Sequence, residues 1–252
     1  MSEKVFLAGA TGAVGTALVP LLLEAGYMVY GSTRNAERAD ALRALGVQPV
    51  VVDVFDAAAL EAAMKAIGPW AVLHQLTDLP KDLDPARMAD AAVRNARVRT
   101  EGTRNLVAAA LAAGAKRLVA QSIAWAYAPG ARPYTEDRPL DVDAEGARRV
   151  SVGGVVALEQ SVLGAKGIAA TVLRYGQLYG PGTSAAEPKG PMPLHVADAA
   201  RAALLALRHP AGGIFNIAED SAEVSTEKAK RELGWHAAAQ GLAGIPAKEP
   251  RR

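Results

Sequence analysis

The feature that most constrains this chain is a set of three glycines that follows an apolar run near its beginning. The run 5–8 has strand length, and Gly9, Gly12 and Gly15 follow it at intervals of three. An apolar-periodic segment of helix length continues from there to Ala25. A strand, a glycine-rich turn and a helix in this order are the context that a dinucleotide-binding fingerprint requires. The sequence therefore predicts a βα unit whose turn holds a pyrophosphate, the alternative being a turn that binds nothing.

Each glycine of this turn has its own role. Gly9 can take the tight turn, Gly12 lets the backbone approach a pyrophosphate that a Cβ would exclude, and Gly15 lets the helix lie close to its strand. The helix N-terminus adds free N–H groups and the positive end of the helix dipole. The residues that we expect to bind the pyrophosphate are Gly9, Thr11, Gly12, Ala13, Val14 and Gly15.

The end of the second predicted strand, 27–31, bears on the choice between NAD and NADP. NAD enzymes usually place an acidic residue there to bind the ribose 2′-hydroxyl. Here Thr33 takes that place, Arg34 follows it, and Arg38 comes one helical turn later. A charge-assisted hydrogen bond from an arginine to a 2′-phosphate contributes about 1.5–3 kcal/mol. This pattern favours NADP over NAD, unless Arg34 and Arg38 are ordinary solvated charges at a helix start.

Strand-like and helix-like segments alternate through the first two thirds of the chain. Further helices are predicted at 36–45, 56–66, 85–113 and 146–163, and further strands at 49–52, 71–76, 116–121 and 169–173, the strand 49–52 being expected to be buried. Such alternation predicts parallel strands joined by right-handed crossovers. The expected fold class is α/β, a Rossmann-type doubly wound parallel sheet.

The pattern changes beyond Thr183. A loop at 187–193 precedes a helix at 195–207, a strand at 213–217, a helix at 226–233 and a loosely ordered tail at 241–252. We expect a dinucleotide-binding domain at 1–181 and a small, reduced substrate-binding region at 182–252 packed on it. The short C-terminal region favours a smaller or more open pocket than a nucleotide-sugar clamp.

Several side chains at predicted strand ends are further cofactor candidates. Asp53 and Val54 follow the third strand, where an adenine would lie, and Gln75 and Leu76 end the fourth. His74, inside that strand, is expected to be a core or rim residue. Arginines on more than one face of the helix 85–113 indicate a salt-bridged surface or, near Arg94 or Arg97, a phosphate-bearing substrate; they are Arg87, Arg94, Arg97, Arg99 and Arg104.

Composition excludes several other classes. The net charge of +2 gives no strong field for nucleic acid or a membrane surface, and the chain has no cysteine. No apolar run reaches membrane-spanning length, and none near the N-terminus is long enough for a signal peptide. The four histidines form no ligand-spaced cluster, so no metal is expected. The expectation is a soluble, cytoplasmic protein with a small-molecule substrate.

Four motifs in order carry a resemblance to a known family. They are Gly9-Ala-Thr-Gly12-Ala-Val-Gly15, Gly102-Thr-Arg-Asn-Leu106, Leu173-Arg-Tyr175 with Tyr179-Gly-Pro-Gly182, and His195-Val-Ala-Asp-Ala-Ala200. Over residues 4–217 the chain resembles the extended or atypical branch of the short-chain dehydrogenases/reductases, the NAD-dependent epimerase/dehydratase family. The resemblance implies a nicotinamide cofactor, with Arg174 counted among its contacts. It also implies a homodimer formed through the helices 85–113 and 146–163.

The family's catalytic residues are a serine, a tyrosine and a lysine. The tyrosine is the general acid/base, the lysine lowers its pKa and holds the nicotinamide ribose, and the serine orients the substrate oxygen. With Glu159 as the anchor of the motif, Ser151 stands at the tyrosine position and Val155 at the lysine position. In Ser122-Ile-Ala-Trp-Ala-Tyr127 the family's catalytic serine falls on Ile123. The remaining candidates for catalysis are Ser122, Tyr127 and Ser151, with Tyr134 and Tyr175 near the expected cleft.

Two functions follow from this combination. The first is an NADP-dependent oxidoreductase or epimerase/dehydratase-like enzyme that acts on a small carbonyl, hydroxyl or sugar-derived substrate without the Tyr-x-x-x-Lys pair. The second is a catalytically silent, NADP-binding sensor or regulatory protein. The missing tyrosine and lysine favour the second, and the preserved motifs at 174–182 and 195–198 favour the first.

Overall fold

The computed structural model describes residues 2–80 and 85–238 of the chain. Seven parallel strands form one sheet in the order β3-β2-β1-β4-β5-β6-β9, and β7 pairs with β8 in a separate two-stranded sheet. The strands are β1 Lys4–Ala8, β2 Met28–Thr33, β3 Gln48–Val51, β4 Ala71–His74, β5 Arg117–Ile123, β6 Ala169–Tyr175, β7 Gln177–Tyr179, β8 Pro193–His195 and β9 Gly213–Ile217.

Helices connect these strands. They are α1 Ala13–Glu24, α2 Ala39–Ala44, α3 Ala57–Ile67, α4 Pro85–Arg97, α5 Thr103–Ala112, α6 Gly146–Leu163 and α7 Val196–Arg208. A 3₁₀ turn at Ala36–Arg38 precedes α2, and a π-helical turn at Val98–Gly102 joins α4 to α5. A second π-helical turn lies at Ala229–Leu233.

Two apolar layers cover the sheet, as the alternation of strand side chains requires. On β1, Val5 and Leu7 pack in a core that includes residues of α1 and α7. Phe6 and Ala8 point to the other face, into a core with residues of α3, α5 and α6. The first core also contains Trp235, so the chain beyond residue 181 packs into the same interior as the N-terminal half.

The strand order places a crevice at the carboxyl ends of the strands. The chain builds outward from β1 through β2 to β3 and then returns to place β4 on the other side of β1. Where the strand order reverses in this way, the loops that follow the two neighbouring strands run apart and leave a crevice between them. Ligands of open α/β sheets bind in this crevice.

The predicted fold class is confirmed, and most predicted elements are present. The helix at 146–163 and the strand at 213–217 have the predicted bounds. Asp56 caps α3, its carboxylate accepting a hydrogen bond from the Ala59 N–H at 3.0 Å. The expectation that the third strand is buried is wrong, because β3 is the edge strand and Val51 is 54% exposed. The predicted helix 85–113 is interrupted by the π-helical turn, and the predicted tail 241–252 lies outside the described residues.

No helix in the described part of the chain is both long and apolar enough to cross a membrane.

Candidate active site

The glycine-rich turn between β1 and α1 forms a cradle in which Gly9 and Gly15 have no room for a side chain. Gly9 has φ +90°, and a Cβ there would lie 2.7 Å from the carbonyl oxygen of Gln75. Gly12 is the residue before α1, and its N–H donates to the Gly9 carbonyl at 3.0 Å. A Cβ on Gly15 would lie 2.1 Å from the same carbonyl oxygen. The turn and the N-terminus of α1 thus fit the close approach of a pyrophosphate.

A cleft of about 930 Å³ runs along the carboxyl ends of the strands from this cradle. Most of the predicted cofactor residues line it: Gly9, Thr11, Gly12, Ala13, Val14, Thr33, Arg34, Arg38, Val54, Gln75 and Leu76. Within the described chain, the side-chain amide of the buried Gln75 makes no well-formed hydrogen bond, although it interacts with the hydroxyl of Tyr175. A polar ligand would satisfy that amide, since buried polar groups in native proteins are normally hydrogen-bonded. The residues present therefore fit a dinucleotide.

Three predicted cofactor residues do not line the cleft. Gly15 lies beneath the turn, where it lets α1 approach β1. The carboxylate of Asp53 accepts a hydrogen bond from the Phe55 N–H at 3.0 Å, which shapes the loop after β3. Arg174 is buried in an ion pair behind the cleft.

The end of the cleft beside β2 carries positive charge. Arg34 is exposed and makes no ion pair with any described residue, while Arg38 donates to the Thr11 hydroxyl at 3.5 Å. No aspartate or glutamate is among the described residues that line the cleft. This end is therefore free of a carboxylate that would repel a phosphate group.

A buried polar network lies behind the middle of the cleft. Glu159 of α6 accepts hydrogen bonds from the Ser122 hydroxyl at 2.7 Å and from the Arg174 Nη2 and Nε at 2.7 and 3.0 Å. Burial alone would lower the pKa of Arg174, but its hydrogen bonds and ion pair with Glu159 raise it. Ser122 lines the cleft, and its proton is directed to Glu159.

The same network holds Tyr127. Its hydroxyl donates to the Asn216 side-chain oxygen at 2.6 Å and accepts from Arg174 Nη1 at 2.9 Å. Burial raises the pKa of Tyr127, although the nearby Arg174 opposes this shift. Tyr127 is absent from the described residues that line the cleft, as is Tyr134, which packs against it.

The two α6 positions that the resemblance assigns to catalysis lie apart from the cleft lining. Ser151 receives two long hydrogen bonds from Arg99 Nη1, both 3.4 Å, on its backbone carbonyl and its hydroxyl. Val155 is fully buried in a small apolar cluster with Ile123 and Val152. Tyr175 does line the cleft, but its hydroxyl donates to the Ala199 carbonyl at 3.1 Å and burial raises its pKa.

Some residues of the cleft were not identified as site residues from the sequence. Trp125, Gln177 and His195 line it, and so does Arg99 from the π-helical turn. His195 could be found through its motif at the start of α7, which it caps by accepting from the Ala197 N–H at 3.3 Å. No sequence signal separates Arg99 from the surface arginines nearby, of which Arg94 and Arg97 pair with Asp78 and Glu101.

His74 is a core residue, as expected. Its Nε2 lies 2.9 Å from the Thr103 hydroxyl, and its Nδ1 accepts from the Leu76 N–H at 3.3 Å. Burial, together with the positive charge of Arg99, lowers the pKa of His74 to about 4. The histidine is therefore neutral at physiological pH and ties the end of β4 to α5.

Comparison with known proteins places this site in a family. The family model described as "NAD dependent epimerase/dehydratase family" matches residues 5–194. The chain belongs to this family. A Streptomyces protein named 3-diazoavenalumate denitrifying reductase is 40% identical over 239 residues, which cover 86% of this chain and 76% of that protein.

Solved structures share the fold at lower identity. UDP-glucose 4-epimerase of Thermotoga maritima, solved with UDP-glucose, is 18% identical with a TM-score of 0.75, covering 93% of this chain and 94% of that one. A short-chain dehydrogenase/reductase superfamily protein of Agrobacterium tumefaciens, solved with bound NAD, is 22% identical with a TM-score of 0.73, covering 94% and 93%. The predicted family membership is thus confirmed, and the family is one of nicotinamide-dependent epimerases, dehydratases and reductases.

Proposed function

We propose that this protein is an NADPH-dependent reductase that replaces the diazo group of a small aromatic compound with hydrogen. One observation carries the proposal. The cleft contains a glycine cradle that fits a dinucleotide, whereas the positions that the family resemblance assigns to the catalytic serine, tyrosine and lysine hold Ile123, Ser151 and Val155. A reaction that transfers a hydride without a proton fits this site. The name of the 40% identical relative, a denitrifying reductase of a diazo compound, supports the same reaction class.

The atoms and charges of such a reaction balance without a proton donor in the protein. When bound, the reduced nicotinamide supplies a hydride. At an aryl diazonium carbon a C–H bond forms, the C–N bond breaks, and dinitrogen leaves with the bonding electrons. Reduction of a carbonyl would also require a proton on the oxygen, and the family supplies it through a tyrosine, at whose position the resemblance places Ser151.

The protein's own part is then to bind, orient and exclude water. The cleft lining beyond the cradle includes the apolar side chains of Ile123, Trp125 and Leu178, which suit a flat aromatic ring. Water must be excluded because hydroxide competes for a diazonium carbon. Gly182, Thr183 and Ser184 also line the cleft, which supports a substrate-binding role for the region 182–252.

The preference for NADPH over NADH rests on the end of the cleft beside β2. Arg34 and Arg38 can both reach a 2′-phosphate as charge-assisted donors, and the acidic residue that favours NAD is replaced by Thr33. We expect the variant Arg34→Ala to weaken NADPH binding by about tenfold and to leave NADH binding within about twofold. Fluorescence titration with each cofactor measures both constants.

The test of turnover compares wild type with two glycine variants. We expect the wild-type protein to consume NADPH with 4-carboxybenzenediazonium and to release benzoate and dinitrogen. Gly12→Asp should abolish turnover above the non-enzymatic rate, because its side chain blocks the cradle. Gly153→Ala, at an open position of α6 with no atom within 4 Å of the added Cβ, is the matched control.

The second candidate function is the NADP-binding sensor, which the same replacement of tyrosine and lysine favours. The two candidates differ in one outcome of this assay. Tight NADPH binding without consumption on any diazonium or carbonyl compound would overturn the reductase proposal and support the sensor.

A further inference from the structure

Arg99 has an unusual setting for an arginine on a helix connection. It lies in the π-helical turn between α4 and α5, is only 7% exposed, and lines the cleft. The hydrogen bonds that its side chain makes with the described chain are the two of 3.4 Å that Nη1 donates to Ser151. A guanidinium has five N–H donors in a fixed fork, so most of its capacity is directed elsewhere.

No carboxylate in the described chain forms an ion pair with Arg99. Glu159 acts on it through space, but both Glu159 oxygens are already bound by Arg174 and Ser122. Burial lowers the pKa of Arg99 to about 10, against the opposing charge of Glu159, so the side chain remains a cation at neutral pH. Buried cations in native proteins are normally paired.

The packing around Arg99 holds it at the cleft wall. Gly154 of α6 faces it, and a Cβ there would lie 3.1 Å from the Ala96 Cα and 3.4 Å from the Arg99 Cδ. The glycine therefore lets α4 and α6 approach closely along the stem of the arginine. The guanidinium reaches Ser151, the position at which the family resemblance places the tyrosine.

We propose that Arg99 binds the carboxylate of a small aromatic acid, which is the substrate class of this reductase. The planar fork of a guanidinium matches a carboxylate with two parallel hydrogen bonds. The anionic groups of the cofactor have other places, since the pyrophosphate fits the Gly9–Gly12 cradle and the 2′-phosphate fits Arg34. The identity of the acid as a substrate rests on the proposed function, whereas its binding at Arg99 does not.

This pairing lets the cleft select and orient a substrate although positions 151 and 155 hold a serine and a valine. A neutral analogue would leave the buried guanidinium without an anionic partner, and such a mismatch excludes ligands strongly. With the carboxylate held at Arg99, the ring lies against the apolar lining that includes Ile123 and Trp125. Arg99 thus acts as a substrate-binding and positioning residue.

The experiment compares cinnamate with cinnamamide, which has the same shape and no charge. Isothermal titration of the NADP⁺-saturated protein measures both dissociation constants. We expect wild type to bind cinnamate at least about tenfold more tightly than cinnamamide. Arg99→Met should reduce this ratio to about one, and Arg99→Lys should retain part of it. Arg104→Met, which removes an exposed arginine from α5, should keep the wild-type ratio.

Three results would overturn the proposal: no preference for cinnamate in wild type, the same preference in Arg99→Met, or no detectable binding of cinnamate. Thermal unfolding and NADPH titration of Arg99→Met exclude misfolding, and we expect its melting temperature to equal or exceed that of wild type. A purely structural arginine would instead lower the melting temperature and leave the ratio unchanged. Because these readouts need no turnover, selectivity at Arg99 and reductase activity succeed or fail separately.

Discussion

The buried ion pair between Glu159 and Arg174 gives a quantitative prediction about stability. The two side chains are 6% and 4% exposed, and they meet through hydrogen bonds of 2.7 and 3.0 Å. Removing one partner of such a pair leaves a buried charge without compensation and costs about 3–5 kcal/mol. The change Glu159→Leu also removes the acceptor of the Ser122 hydroxyl. We therefore expect it to lower the free energy of unfolding by about 3–5 kcal/mol, a large part of the stability of a typical domain.

A double-mutant cycle measures the pair directly. Glu159→Leu, Arg174→Met and the double variant are unfolded in urea and followed by circular dichroism. Each single change should cost about 3–5 kcal/mol, and the double change should cost less than the sum by at least about 2 kcal/mol. The control is Asp40→Ala, which breaks the exposed pair with Arg43 and should cost at most about 1 kcal/mol. Additive single changes, or a cost of less than about 1 kcal/mol for Glu159→Leu, would refute this account of the network.

Three further predictions concern pH, packing and assembly. His74 has a pKa of about 4 in the folded protein and 6.5 in the unfolded chain, so it is protonated first in the unfolded state as the pH drops. Its contribution therefore lowers the free energy of unfolding by about 3 kcal/mol between pH 6.5 and pH 4. Urea unfolding of His74→Asn should show a smaller fall over this range, and an unchanged slope would contradict the assignment. Gly15→Ala should lower the melting temperature and weaken NADPH binding, since its Cβ would lie 2.1 Å from the Gly9 carbonyl oxygen, and wild-type binding would contradict this. If a homodimer forms through α4 and α6, whose Val93 and Val150 are exposed, light scattering should give twice the chain mass for wild type and a single chain mass for Val93→Asp. A monomeric wild type would remove the dimer.

Much of the fold could be predicted because it follows from local pattern. The helix 146–163 begins at a glycine and is followed by one, the strand 213–217 begins at one, and the bounds of both agree with the structure. The burial of β3 could not be predicted in this way, since an apolar run does not say whether a strand lies inside the sheet or at its edge. The strand order decides this, and it depends on contacts between distant parts of the chain.

The candidate site could likewise be predicted only where it depends on local sequence. The cradle of Gly9 and Gly12 could be predicted because the turn's chemistry is local to one βα unit. Tyr127 follows β5 and Arg174 lies near the end of β6, both at the carboxyl edge of the sheet, but their side chains turn into the buried network rather than the cleft. Arg99 could not be separated from the surface arginines because it lies in a π-helical turn, which helical periodicity does not reveal.

The most direct test of the central claim is the origin of the new hydrogen in the product. The protein is supplied with 4-carboxybenzenediazonium and NADPH deuterated at C4 in ordinary water, and separately with ordinary NADPH in D₂O. Mass spectrometry and NMR of the benzoate locate the deuterium. The account predicts deuterium at the former diazo carbon from one of the two C4-deuterated NADPH epimers and none from D₂O. Deuterium from D₂O at that carbon would contradict hydride transfer without a proton donor.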